Sequence, residues 1–151
     1  MDGVGPTLRP VGKTPRLALD DNDAAALAQI GTQMRSRPGA GMHALLCLAA
    51  RPWPPTFARS VERNTRLAWR VLSMQRRALW LMRKGRHAGA LTMIRDARTR
   101  LLTLSLPLLM ETDLGGQVSN AWIPVRSGVD DLLCDTRRRI LLDHDQRQRC
   151  A

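Results

Sequence analysis

Six cations, Arg59, Arg63, Arg66, Arg70, Arg77 and Lys84, recur at intervals of four, three, four, seven and seven residues. On a helix advancing 100° per residue, these intervals keep all six within about −20° to +40° of Arg59, a single row. A row of cations at helical pitch suits the phosphates of a nucleic acid, because each contact releases condensed counterions. Arg95 and Arg98 extend the basic set along the chain. Trp69 and Trp80 stand three turns apart, about 60–80° to one side of the row. An indole beside arginine is a platform on which an unpaired base can stack. Tryptophans so placed also serve as boundary packing or as part of a subunit contact.

Other chemistry is thinly represented. Cys47, Cys134 and Cys150 are odd in number and widely spaced, so they form neither a disulfide framework nor a CxxC metal pair. His43, His87 and His144 are equally scattered, and no HExxH, glycine-rich phosphate loop or GxSxG occurs. Glu62 and Asp96 stand alone among arginines and do not make an acid–base pair. The expectation is a protein with no catalytic residues, no metal and no cofactor: not an enzyme.

Charge sharpens the argument. Lysine and arginine total 24 against 13 acidic residues, a net of +11, and the isoelectric point is near 11.5. Only two of the cations are lysine; tyrosine is absent and phenylalanine occurs once. A GC-rich genome produces that bias unaided, so arginine over lysine says little about phosphate. Location says more. Residues 51–110 hold 13 basic side chains and two acidic ones, while the remaining 91 residues hold 11 of each. A solvated face usually mixes signs; this one does not. A polyanion is therefore the expected partner, RNA favoured over DNA, with an acidic protein as the alternative. No membrane partner is expected, because the apolar faces are needed for a core and no apolar run approaches the ~18–20 residues of a spanning helix. Gly3, Pro6 and Pro10 interrupt any signal-like start, so the expected location is cytoplasmic.

The elements that must position these residues follow from periodicity. A chain of 151 residues is sized for one domain. Residues 1–21 read as a flexible tail and 22–147 as a helical domain, with Asp20-Asp21-Asn22-Asp23 supplying helix-start chemistry. A first helix is predicted over 23–36, with Leu27, Ile30 and Met34 inward, broken by Arg37-Pro38-Gly39-Ala40-Gly41. A second piece follows over 42–50 and ends at Pro52, Pro54 and Pro55. The basic row belongs to a helix over 56–84, whose inner face is Phe57, Val61, Ala68, Val71, Leu72, Leu79 and Met82. A tight turn at Gly85 leads to a helix over 87–110 with Leu91, Ile94, Leu101, Leu104 and Leu108 inward, kinked at Pro107. A loop around Gly115-Gly116 precedes a last helix over 118–147, regular after Pro124 or Gly128, with Val129, Leu132, Leu133, Ile140 and Leu141 inward. No segment alternates at period two. The predicted fold is all-α, an antiparallel bundle of four to five helices. A helix-turn-helix reader of DNA fits poorly, because the Gly85 turn joins helices too long for that motif and Pro124 interrupts the other candidate.

The layout resembles the accessory variability determinant (Avd) family of diversity-generating retroelements and its four-helix-bundle relatives. The resemblance spans about residues 42–140 and rests on three features. One is an opening helix ending at proline, Leu45-Leu46-Cys47-Leu48-Ala49-Ala50-Arg51-Pro52. Another is the basic pair from Arg59 to Lys84 and from His87 to Leu109 across a tight turn. The third is a late Gln117, Ala121, Val125, Val129, Leu132, Leu133 pattern. The chain departs from the family in lacking a glycine-tryptophan ending and tyrosine, and in the Pro38-Gly39 interruption. The resemblance implies a non-catalytic homo-oligomer that binds RNA and a reverse transcriptase through a basic outer surface. The alternative is a structural or interaction protein of a phage or mobile element whose basic face docks an acidic protein.

Overall fold

The computed structural model describes residues 21–104 and 121–150. Asp21, the last residue of the expected tail, is helical; the rest of that tail over 1–20, the kink at Pro107, Leu108, the Gly115-Gly116 loop and the expected start of the last helix near Gln117 lie outside the described residues. Among those described, five helices and no strand are present: α1 (Asp21–Ser36), α2 (Pro38–Ala49), α3 (Pro55–Arg83), α4 (His87–Leu101) and α5 (Ile123–Cys150). The fold is all-α.

Prolines set three of the boundaries. Only Arg37, with φ −143° and ψ 75°, separates α1 from α2. The expected break over 37–41 is thus a single residue, because Pro38 occupies the first position of α2, where its missing N–H forfeits no helical bond. Pro55 opens α3 in the same way, after Pro54 at φ −55° and ψ 146°. Pro124 falls in the first turn of α5, so the last helix is regular from Ile123. Gly85 closes α3. Its φ of +78° is left-handed, and the N–H of Arg86 turns back to the Leu81 carbonyl at 2.9 Å.

Successive helices run in opposite directions. Asp23 pairs with Arg51 across α1 and α2, and Arg98 pairs with Asp130 while His87 pairs with Asp143 across α4 and α5. The alternation leaves α1 parallel to α5, as Gly31 lies against Pro124 and Gly128 while Arg35 meets Asp131 and Asp135. At that crossing the backbones touch. A Cβ on Gly128 would strike the Gly31 carbonyl, and one on Gly31 would strike the Pro124 carbonyl.

The core draws on every helix. Leu27, Ile30 and Met34 are buried from α1, and Phe57, Val61, Ala68, Val71, Leu72 and Met82 from α3. Ile94, Leu101 and Leu104 join them, with Val129, Leu132, Leu133 and Ile140 from α5. Leu79, Leu91 and Leu141, expected inward, are half-buried. Trp122 is enclosed just before α5. Each fully buried Leu, Ile or Phe stabilises the fold by about 1.5–3 kcal/mol. Two polar ties register α5 on its neighbours. Gln75 Nε2 donates to Thr136 Oγ1 at 3.0 Å inside the core, and His87 Nε2 donates to Asp143 Oδ2 at 2.7 Å.

Candidate nucleic-acid interface

The 29-residue α3 carries the basic row. Its buried face consumes the apolar positions and leaves Arg59, Arg63, Arg66, Arg70, Arg77 and Lys84 exposed on the opposite side. From Arg59 to Lys84 the row spans about 37 Å at 1.5 Å per residue. The six side chains are not equivalent. Arg59, Arg63 and Arg70 make no ion pair among the described residues, whereas Arg66 Nη2 donates to Glu62 Oε2 at 3.1 Å. Arg77 and Lys84 both lie over the Trp80 ring, at 5.1 and 5.6 Å from its centroid. Such contacts are favourable because the ring face is electron-rich, and they hold the two cations beside the indole.

The two tryptophans therefore differ. Trp80, 40% exposed, already has cations across its ring. Trp69, 51% exposed, has no such neighbour and opens onto a cavity of about 400 Å³ between α2 and α3. Met42, His43, Leu46, Leu72, Gln75 and Arg76 line the same cavity. Among the described residues, the Trp69 ring is therefore the more open of the two.

On α4, Arg95 and Arg98 also part company. The Arg98 guanidinium spans to Asp130 on α5, with Nε at 2.9 Å and Nη2 at 3.4 Å. That hydrogen-bonded pairing, reinforced by the Asp130 charge, raises Arg98 above its ordinary value and ties it to the fold. Arg95 has no such tie. It lines a groove of about 450 Å³ between α4 and α5, together with Arg137, from the Arg137-Arg138-Arg139 run that the sequence pattern reads as balanced by nearby aspartates and of little weight in binding. Arg137 follows a run of aspartates and looks balanced in sequence, but those acids are engaged elsewhere. Asp130 meets Arg98, Asp131 meets Arg35, and Asp135 meets both Arg35 and Arg138.

No family model, curated protein or solved structure matches this chain. The site therefore rests on its own chemistry. Among the described residues no group of three or more His, Cys, Asp or Glu side chains could hold a metal ion. The Cys47 sulfur lies 3.8 Å from His43 Nε2 on the outer face of α2, and the His87 and His144 rings meet at a tilt of 57° with centres 4.9 Å apart. No described helix is long and apolar enough to cross a membrane. What the surface offers is fixed positive charge on a rigid helix, flanked by two exposed indoles.

Proposed function

We propose that this protein is a non-enzymatic nucleic-acid-binding accessory protein, with RNA as the preferred ligand and the outer face of α3 as the contact surface. The observation that carries the reading is the set of exposed arginines at Arg59, Arg63 and Arg70, which have no internal counter-ion among the described residues. Arg35, Arg51, Arg98, Arg138 and Arg147 are held by carboxylates, and among the described arginines that are not, Arg59, Arg63 and Arg70 share one helical line. Cations left unpaired along one line await an external anion, and a polyanion answers all of them at once. The exposed Trp69 favours a strand with unpaired bases, hence RNA. The likeness in layout to the Avd family adds a homo-oligomeric assembly and a reverse transcriptase as the protein that it assists.

The test exploits the spacing. Arg63, Arg70 and Arg77 repeat every seven residues, so they project in nearly one direction about 10.5 Å apart. Replacing all three with glutamine keeps good helix formers and removes three cations. Binding should weaken for every sequence, and the slope of log K against log salt should fall by about 0.7 per lost contact on a single strand. The matched control replaces Arg35, Arg138 and Arg147, which already face aspartates. Equal loss in the control would reduce the effect to bulk charge. No loss in either would transfer the row to an acidic protein partner.

A further inference from the structure

The groove between α4 and α5 combines features that neither helix shows alone. Leu91, Arg95, Arg98 and Leu102 form a stripe along α4, extending about 16 Å at 1.5 Å per residue. Ile94 lies beneath it, wholly buried, and Leu102 stands 60% exposed at one end. From α5, Asp130 and Arg137 form the opposite wall. The Arg98–Asp130 pair spans the groove and fixes its width, cancelling its own charge. Arg95 and Arg137 are left as two cations facing one cavity with no ion pair among the described residues. At about 450 Å³ the space falls within the roughly 300–1,000 Å³ of small-ligand sites.

Apolar seats at the two ends of the stripe, with two unneutralised guanidinium groups alongside, match a ligand that carries flat apolar groups along an anionic backbone. We infer that this groove holds a short run of unpaired nucleotides of a bound single strand, with successive bases against Leu91 and Leu102 and a phosphate between Arg95 and Arg137. This rests on the nucleic-acid reading of α3 but assigns a different task. The α3 row tracks a backbone of any kind. The groove accepts a base only when that base is unpaired, so it selects single strands over duplexes. A paired base cannot enter, because its edge and faces are occupied within the stack.

The test is fluorescence anisotropy on the full chain at ~150 mM salt, using a labelled ~12-nucleotide oligouridylate and an RNA duplex of the same length. Arg95→Gln/Arg137→Gln should weaken the single strand about tenfold, and Leu102→Ser about threefold, while duplex affinity stays within about twofold. Leu102 is exposed, so its replacement leaves the fold intact, and it alters no charge. The α3 triple variant should weaken strand and duplex alike. Groove variants that weaken both probes equally, or neither, overturn the inference while the α3 reading stands. Groove variants that discriminate while the α3 triple does nothing leave the groove as the site and remove the row. Wild-type protein that binds neither probe removes both. A groove that instead captures an acidic peptide, lost on Arg95→Gln/Arg137→Gln but indifferent to Leu102→Ser, also overturns it.

Discussion

Asp143 is held from two sides at the residue scale. The hydrogen bond from the nearly buried His87 keeps its carboxyl below the usual carboxylate range, and Arg147, 3.0 Å away, adds to this against the penalty of burial. A carboxyl whose folded value is depressed contributes stability that is fully present above its unfolded value. That contribution disappears as pH falls through the folded value. Asp143→Asn should therefore lower the melting temperature at about pH 6, and the gap to wild type should close as pH falls below the usual carboxylate range. A gap that persists in acid would show that the charge is irrelevant and that only shape matters. The residue scale is also where sequence reads least. The exposure of Arg59, Arg63 and Arg70 follows from helical phase, since the apolar residues opposite must go inward. Nothing in the phase distinguishes Arg98, tied to an aspartate 32 positions away, from Arg95, which has no such tie. Local spacing carries no information about contacts that only tertiary packing creates.

Glycine decides the closest contact at the scale of elements. Gly31 and Gly128 let α1 and α5 meet backbone to backbone, and a methyl group at 128 would collide with the Gly31 carbonyl. Because that obstacle is backbone, it cannot swing aside as a side chain would. Gly128→Ala should destabilise the protein by about 2–3 kcal/mol in urea titration, the range of an overpacked core. Gly39→Ala meets nothing within 4 Å and lies in α2, so it should stabilise by up to about 1 kcal/mol. The opposite signs make the pair a test of the crossing rather than of helix propensity. Periodicity made α1 and α3 legible to within two residues, and likewise the start of α4. Proline misled the reading of α2, because Pro38 looks like a breaker and serves as a first residue. Gly128 looks like a place for irregular chain and is instead buried within α5.

For the whole molecule, the apolar residues left outside the core bear on assembly. Leu67, Met74 and Leu81 pack partly against the core, so the uncovered surface lies elsewhere, at Leu46, Trp69, Trp80, Leu102, Ile123 and Leu142. Leu46 stands 44% exposed on α2, and that helix carries no Asp, Glu, Lys or Arg from Pro38 to Ala49. Uncharged, partly apolar surface of this kind favours self-association. Light scattering should give a mass above the 16.9 kDa of one chain, and Leu46→Glu should lower it; a monomeric mass for the wild-type protein would end the proposal of a homo-oligomer. The all-α class was readable from composition and phase, whereas the pairing of α1 with α5 was not, since no local pattern encodes which distant helix a face will meet. The row on α3, with Glu62 its one carboxylate partner among the described residues, has a thermodynamic consequence of its own. Like charges at three- and four-residue spacing push against one another, so the free protein folds against its own surface. Salt screens that repulsion within a Debye length of about 10 Å at 0.1 M. The folded state should thus gain thermal resistance as sodium chloride rises, the reverse of a surface stitched by ion pairs. A bound polyanion should do the same at far lower concentration, making the lifetime of the fold a reporter of whether the row is occupied.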